Sequence, residues 1–454
     1  MVRENINIGV EMIKPSSPTP PHRKNLRLSF LDQLAPPTYT HIILYFEAND
    51  NNCHEGSDET SRKLKRSLSD VLALYYPLAG RIRPEESCVE CNDAGAEYSE
   101  ARFSEDRISD VVENPVVEEL AKYVPAAPYG GGDVPLAVQL SFFGCKGVAV
   151  GVCMSHRVAD AMSLVNFVNA WAAVCRRDAK TVDFIEPTFD LATRFPPADF
   201  SRFFPPEAPS PQPPPPEKIV TKRLIFDEQK LAALKKAAAG PEVEKPTRVE
   251  AVSAFIWKHL IGASSAAVAA EGGKNNNGGK NRAFAAIHAV DIRSRANPPL
   301  PNQVFGNACA RSMAMTTAAA AAAEEERNYS YYDVVLKLRE AIRKADAEYV
   351  GKLENGDEFL EHYSGTEEND PSFKDGSKTL EICCFTSWCR MPAYEADYGW
   401  GKPVWVSIIG VPTRKNLIFF MGSKSGDGIE AWLNMAQEDA DVIQTNYNLL
   451  FSSS

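Results

Sequence analysis

The stretch Cys153-Met-Ser-His156-Arg-Val-Ala-Asp160-Ala-Met-Ser163 lies between two different patterns. Before it runs Gly147-Val-Ala-Val-Gly-Val-Cys153, a short apolar and β-branched segment that reads as a strand. After it, Leu164, Val165, Val168, Trp171, Ala172 and Cys175 recur at helical spacing and predict an amphipathic helix over 161–176. His156 therefore stands where a strand ends, and Asp160 where a helix begins. An imidazole so placed can face a cleft while the strand behind holds it still. It is also the side chain best suited to take a proton from a hydroxyl near neutral pH. By itself, H-x-x-x-D leaves a structural reading open. A lone His is often structural, and Asp160 is a good N-cap whose carboxylate can accept the amide hydrogen of Ser163.

The 454 residues are 44% hydrophobic, ample for a large core, and the length suggests two or three domains. A net charge of -11 without a basic patch argues against nucleic acid and anionic membrane surfaces as partners. Residues 1–21 hold no apolar run of signal-peptide length, and no apolar stretch is long enough to span a bilayer. The expectation is a soluble, cytoplasmic protein. The ten cysteines fit it, since most sit in apolar runs, such as Cys145, Cys153, Cys309, Cys383 and Cys384. Cys88-x-x-Cys91 has no second pair at zinc-ribbon spacing, so the cysteines are read as reduced and no metal is expected.

Along the chain, 1–28 is polar and Pro-rich, 40–46 is a strand, and 61–76 has helical periodicity ending at Pro77 and Gly80. Short strands are expected at 88–91, 96–99 and 135–143. Residues 204–217, with the proline run at 213–216, favour a stiff extended chain and read as a crossover linker. It divides a first domain, 1–203, from a second, 218–454. The second begins with a strand at 218–226 and a helix from Asp227. Thr247-Arg-Val-Glu250 is a capping-box pattern that opens another helix. Residues 272–279 form a Gly/Asn-rich loop by composition. A strand at 283–290, a helix at 332–349, strands at 380–386, 403–411 and 417–422, and a helix at 438–450 complete the reading. Both halves mix helices with short strands, so the fold class is α/β, two domains with mixed sheets.

A second motif stands late in the chain. Asp397-Tyr-Gly-Trp-Gly401 places two glycines around a Trp, which alone reads as a tight turn. With His156-x-x-x-Asp160 in the first half, it resembles the plant BAHD acyl-CoA-dependent acyltransferases, which carry H-x-x-x-D and D-F-G-W-G at about these positions. Tyr75-Tyr-Pro-Leu-Ala-Gly-Arg81, Cys91-Asn-Asp-Ala-Gly95, Arg293-Ser-Arg-Ala-Asn-Pro-Pro-Leu-Pro301, Phe305-Gly-Asn307 and Thr386-Ser-Trp-Cys-Arg390 add to the likeness. It covers about residues 26–450. Leu31-Asp-Gln-Leu-Ala-Pro-Pro37 and Ser387-Trp-Cys-Arg390 look like the branch of acetyltransferases acting on alkaloid and terpenoid alcohols. Two departures stand out: Tyr398 replaces the usual Phe, and Ala161 the Gly that many members have after the Asp.

The resemblance implies two chloramphenicol-acetyltransferase-like domains with an active-site channel between them, the segment about 380–400 crossing back to the first. It implies acetyl-CoA as co-substrate, with no bound cofactor or metal, and a hydrophobic small-molecule alcohol as acceptor, in a monomer. His156 would be the general base and the Trp388 indole N–H the oxyanion donor. Asp160 would be structural, paired with an arginine taken as Arg293. Asp397, Gly399 and Gly401 would hold a turn remote from the chemistry. Thr38, Tyr39 and Thr386 would border the acceptor, with Ser253 and Asn307 near the CoA. A longer or aromatic acyl donor, and a silent ligand-binding relative, remain alternatives. A metal hydrolase lacks clustered ligands beside His156 and Asp160. Limited proteolysis should cut first within 205–216, then within 272–279. First cuts within 139–174, mapped by mass spectrometry, would contradict the linker.

Overall fold

The computed structural model describes residues 6–48, 56–126, 132–176, 186–200, 218–270, 282–317, 330–364, 379–411 and 414–451. Its strands are β1 (Ile6–Ile13), β2 (Asn25–Arg27), β3 (Tyr39–Phe46), β4 (Arg81–Arg83), β5 (Cys88–Glu90), β6 (Ala96–Phe103), β7 (Leu136–Phe143) and β8 (Val148–Ser155). There follow β9 (Ile219–Phe226), β10 (Arg282–Asp291), β11 (Cys309–Thr317), β12 (Thr379–Ser387), β13 (Trp405–Ser407), β14 (Leu417–Gly422) and β15 (Ile429–Ala436). The expected linker at 204–217 and the loop at 272–279 lie outside the described residues.

Two units emerge, and neither is one continuous stretch. The first comprises Met1–Ala198, Leu300–Ala308 and Met391–Ile409; the second comprises Asp199–Pro299, Cys309–Arg390 and Gly410–Ser454. A single cut at 204–217 misses this. The Asp397–Gly401 turn, within 218–454 but at the end of the segment expected to cross back, belongs to the first unit. Residues expected to cross back at about 380–400 are split, since β12 stays with the second unit and Met391 onward joins the first. The cause is β13. It pairs antiparallel with β3, Trp405 against Tyr45, and their rings stack at 5.1 Å.

In the first unit the main sheet runs β1-β6-β7-β8-β3-β13. The β6–β7 pair is parallel and the other neighbours are antiparallel, so the sheet is mixed. The helices Ser57–Leu74 and Ala161–Arg176 pack together, and the buried Trp171 indole N–H donates to Ser67 Oγ at 3.0 Å. In the second unit the sheet runs β11-β10-β12-β14-β15-β9, with β10–β12 and β12–β14 parallel. Its core joins Phe226, Phe284, Phe385 and Phe420 of the sheet to Leu231, Phe255, Leu338 and Ile443 of the helices. The Thr247–Glu250 capping box is present: Thr247 N donates to Glu250 Oε2 at 2.7 Å, and Glu250 N to Thr247 Oγ1 at 3.2 Å.

Some elements differ from the sequence reading. The helix expected at 332–349 is two, Tyr331–Lys344 and Ala347–Leu353, because Asp346 caps a new start by accepting from Tyr349 N. Strand β15 has no counterpart in that reading, because all of its residues are buried and it shows no alternation. Strand β1 falls within the polar, Pro-rich start of the chain, ahead of the first expected element. Among the described residues no helix is long and apolar enough to cross a membrane.

The Asp397–Gly401 turn is held by its own acid. Asp397 Oδ1 accepts from the backbone N–H of Gly399 at 2.7 Å and of Gly401 at 2.9 Å. Both glycines have positive φ, +101° and +91°, which strains any other residue. Arg176, at the end of its helix, donates to the Asp397 carbonyl at 2.6 Å. The turn presses Tyr398 and Trp400 edge-on against Phe46 of β3. Tyr398 is fully buried, and its hydroxyl finds no hydrogen-bond partner among the described residues. Removing that oxygen should relieve a desolvation cost of about 1–3 kcal/mol. Tyr398→Phe should therefore raise the melting temperature, and a lower one would mean that the hydroxyl is satisfied.

Candidate active site

Strand β8 ends at Ser155, and a turn carries the chain to the helix at Ala161. The backbone N–H of His156 donates to the Thr38 carbonyl at 2.8 Å, so the residue just before β3 pins the turn. Asp160 starts the helix as expected: Oδ1 accepts from Ser163 N at 2.8 Å. Its Oδ2 accepts from Ala308 N at 3.1 Å, and its own N–H donates to the Gly306 carbonyl at 3.2 Å. Ser163 Oγ donates to the same carbonyl at 3.0 Å. The motif is thus tied to the segment Leu300–Ala308. Gly306 has φ +134°, and a Cβ there would lie 2.5 Å from Leu191 Cδ2, so only glycine fits.

Next to it stands Asn307, 1% exposed. Its Oδ1 lies 2.9 Å from His156 Nδ1. Its Nδ2 donates to Asp32 Oδ1 and to the His156 carbonyl, each at 2.8 Å. The amide orientation follows from those two acceptors, since a flipped amide would set its oxygen against both. The Asn307 oxygen can only accept, so His156 Nδ1 carries a proton and donates it. In that tautomer a neutral ring has its lone pair on Nε2, the state a general base requires.

Asn307 was expected near the CoA. Its amide is hydrogen-bonded to His156 and Asp32. Ser253, also expected near the CoA, is fully buried, and its hydroxyl meets His288 Nε2 at 2.9 Å. Burial pushes His288 down to about 4, and its ring stacks on Phe385 at 4.7 Å. Tyr39 donates its hydroxyl to the Val134 carbonyl at 2.6 Å, and burial pushes it up to about 12. Thr386 is partly exposed on β12, and Trp388 is buried, its backbone N–H donating to the Phe420 carbonyl at 2.8 Å. Arg293 is buried and meets Asp291 at 3.2 Å, whereas Arg295 donates to the carbonyls of Ile342 and Ala345. Among the described residues no group of three or more His, Cys, Asp or Glu could hold a metal ion.

A sequence profile described as the Transferase family matches residues 7–450. Stemmadenine O-acetyltransferase of Catharanthus roseus is 39% identical over 97% of this chain and 96% of its own length. Vinorine synthase of Rauvolfia serpentina is also 39% identical, over 96% and 95%. The chain belongs to the BAHD acyltransferase family. The crystal structure of vinorine synthase superposes with a TM-score of 0.78 at 38% identity, covering 97% of this chain and 96% of that one. Limonoid 1-O-acetyltransferase of Citrus sinensis is 35% identical over 98% and 97%. The protein is therefore an acyltransferase of the two-domain BAHD fold that takes acyl-CoA as co-substrate.

Each oxygen of Asp160 accepts from a buried backbone donor. Asp160→Ala should lower the unfolding free energy by roughly 2–4 kcal/mol, from the lost cap and the stranded Ala308 N–H. Asp160→Asn should also destabilise, because an amide has one oxygen for the two donors. Urea titration checks both, and a wild-type midpoint for Asp160→Asn would mean that the two bonds are not held together.

Proposed function

We propose that this acyltransferase moves the acetyl group of acetyl-CoA onto a hydroxyl of a hydrophobic plant specialised metabolite, an alkaloid or terpenoid alcohol. The similar proteins named above include acetyltransferases of stemmadenine and of a limonoid, which supports this acceptor class. The observation that carries the reading is the hydrogen bond between His156 and Asn307. A ring protonated on Nδ1 presents a basic Nε2. In this reading Nε2 takes the acceptor's hydroxyl proton as its oxygen attacks the thioester carbon. The tetrahedral intermediate collapses, the C–S bond breaks, and the proton passes to the departing CoA thiolate.

Trp388 is given the oxyanion role, its indole N–H donating where negative charge develops. Thr386, Thr38 and Tyr39 are assigned to the acceptor. Asp160, Arg293 and the Asp397 turn support the fold around the chemistry. Asn307 is assigned to His156 and Ser253 to the core, in place of the CoA contacts expected of them. The protein is read as a cytoplasmic monomer. A longer or aromatic acyl donor is the second reading within the same chemistry. A silent ligand-binding role is disfavoured, since it has no use for an imidazole held in one tautomer.

The test is thiol release from acetyl-CoA, and from longer acyl-CoAs, across a panel of alkaloid and terpenoid alcohols, with products read by mass spectrometry. His156→Ala should fold and lose about 100-fold or more in kcat, the usual size for a general base. Near-wild-type turnover in that variant would sink the assignment.

A further inference from the structure

The mechanism leaves one buried acid unused. Asp32 is 6% exposed and lies in the short helix Phe30–Gln33. Its Oδ2 accepts from Ser29 N at 2.8 Å and from Ser29 Oγ at 2.6 Å. Its Oδ1 accepts from Asn307 N and from Asn307 Nδ2, both at 2.8 Å. All four of these groups, two from each neighbour, donate, and only the ionised carboxylate suits four donors. The first pair is an ordinary capping box. The second pair is not local, since it joins residues 275 apart and fixes the Asn307 side chain through its amide nitrogen.

We infer that Asp32 is a positioning residue for the reaction, acting through Asn307 to hold His156 in the Nδ1-protonated tautomer. The inference builds on the general-base reading above and adds a group that touches neither substrate nor His156. An asparagine side chain has two near-equivalent orientations, and turning it over exchanges its oxygen and nitrogen. With Nδ2 facing His156, Nδ1 would have to accept, and the ring proton would move to Nε2, where it blocks base catalysis. The Asp32 carboxylate opposes that flip, because a flipped amide would point its oxygen at a negative charge. The His156 carbonyl opposes it too, but a neutral carbonyl repels more weakly than a carboxylate.

Asp32→Asn tests the relay. The introduced amide would offer one oxygen to two pairs of donors, so in part of the population its NH2 would face Asn307 and favour the flipped orientation there. Histidine labelled with 15N reports ring protonation by NMR, and the His156 signals are assigned by their loss in His156→Gln. The wild-type ring, when neutral, should carry its proton on Nδ1. In Asp32→Asn the ratio of Nδ1–H to Nε2–H should fall by about tenfold or more, the scale of a lost hydrogen bond to a charged group. A merely structural Asp32 would lower the melting temperature and leave that ratio alone.

An Nε2–H ring in the wild type, or an unchanged ratio in Asp32→Asn, overturns the inference. If Asp32→Asn does not fold, Asn307→Ala removes the link nearer the ring, and an unchanged tautomer there overturns the relay as well. The measurement needs no turnover. A protein that transfers acetyl with an Nε2–H ring would refute the relay alone. One with an Nδ1–H ring and no transfer activity would refute the functional reading alone.

Discussion

One hydrogen bond, from His156 Nδ1 to Asn307 Oδ1, joins residues 151 positions apart, and the candidate site depends on it. An imidazole at the end of a strand is common and usually inert. In the proposed mechanism it can act as a base of defined direction only when something decides which nitrogen holds the proton. Here that is done by an amide with no charge of its own, whose other hydrogen bonds oppose its turning over. The amide is in turn fixed by a carboxylate and a backbone carbonyl. Asp160, the other fixed residue of the motif, accepts from backbone N–H groups on its own helix and on Ala308.

This arrangement places a charge in the interior. Burial pushes the Asp32 carboxyl up from its ordinary range, and the bonds from Ser29 and Asn307 oppose that rise. A buried carboxylate is costly unless its lone pairs are met, and here each oxygen receives two donors. Gly306 has a similar logic. Its positive φ brings Asn307 and Ala308 into place for Asp32 and Asp160, and the space beside it is already filled by Leu191.

Much of this is legible from local pattern. The apolar run before His156 marks β8, the 3.6-residue spacing after it marks the helix, and Asp160 stands where a cap belongs. The glycines mark the Asp397 turn. What cannot be read is distributed. Asn307 follows a glycine in a loop of ordinary composition, and nothing local ties it to position 156. Asp32 shows a local signal, Ser29 three residues before it, but that pattern announces only a helix start. Strand β15 is hidden because a strand buried on both faces has no period to detect. The domain boundary is hidden because a proline run does not say which sheet the strands after it will join.

The first unit's discontinuity bears on the order in which the protein can be made. A ribosome releases the chain from its amino end, and domains usually fold as they emerge. Here β3 is finished by Phe46, but its neighbour β13 arrives much later. Ser407 Oγ reaches Tyr45 across 362 positions. Until then one edge of the first sheet is open, with Ile43, Leu44 and Tyr45 lacking their final strand. Asn307, too, emerges only after the proline-rich stretch at 204–217 has passed. The nascent amino-terminal half can thus assemble the strand that carries His156 well before it acquires the amide that orients the ring. The candidate site is thus completed late in synthesis, once the chain has returned to the unit it began.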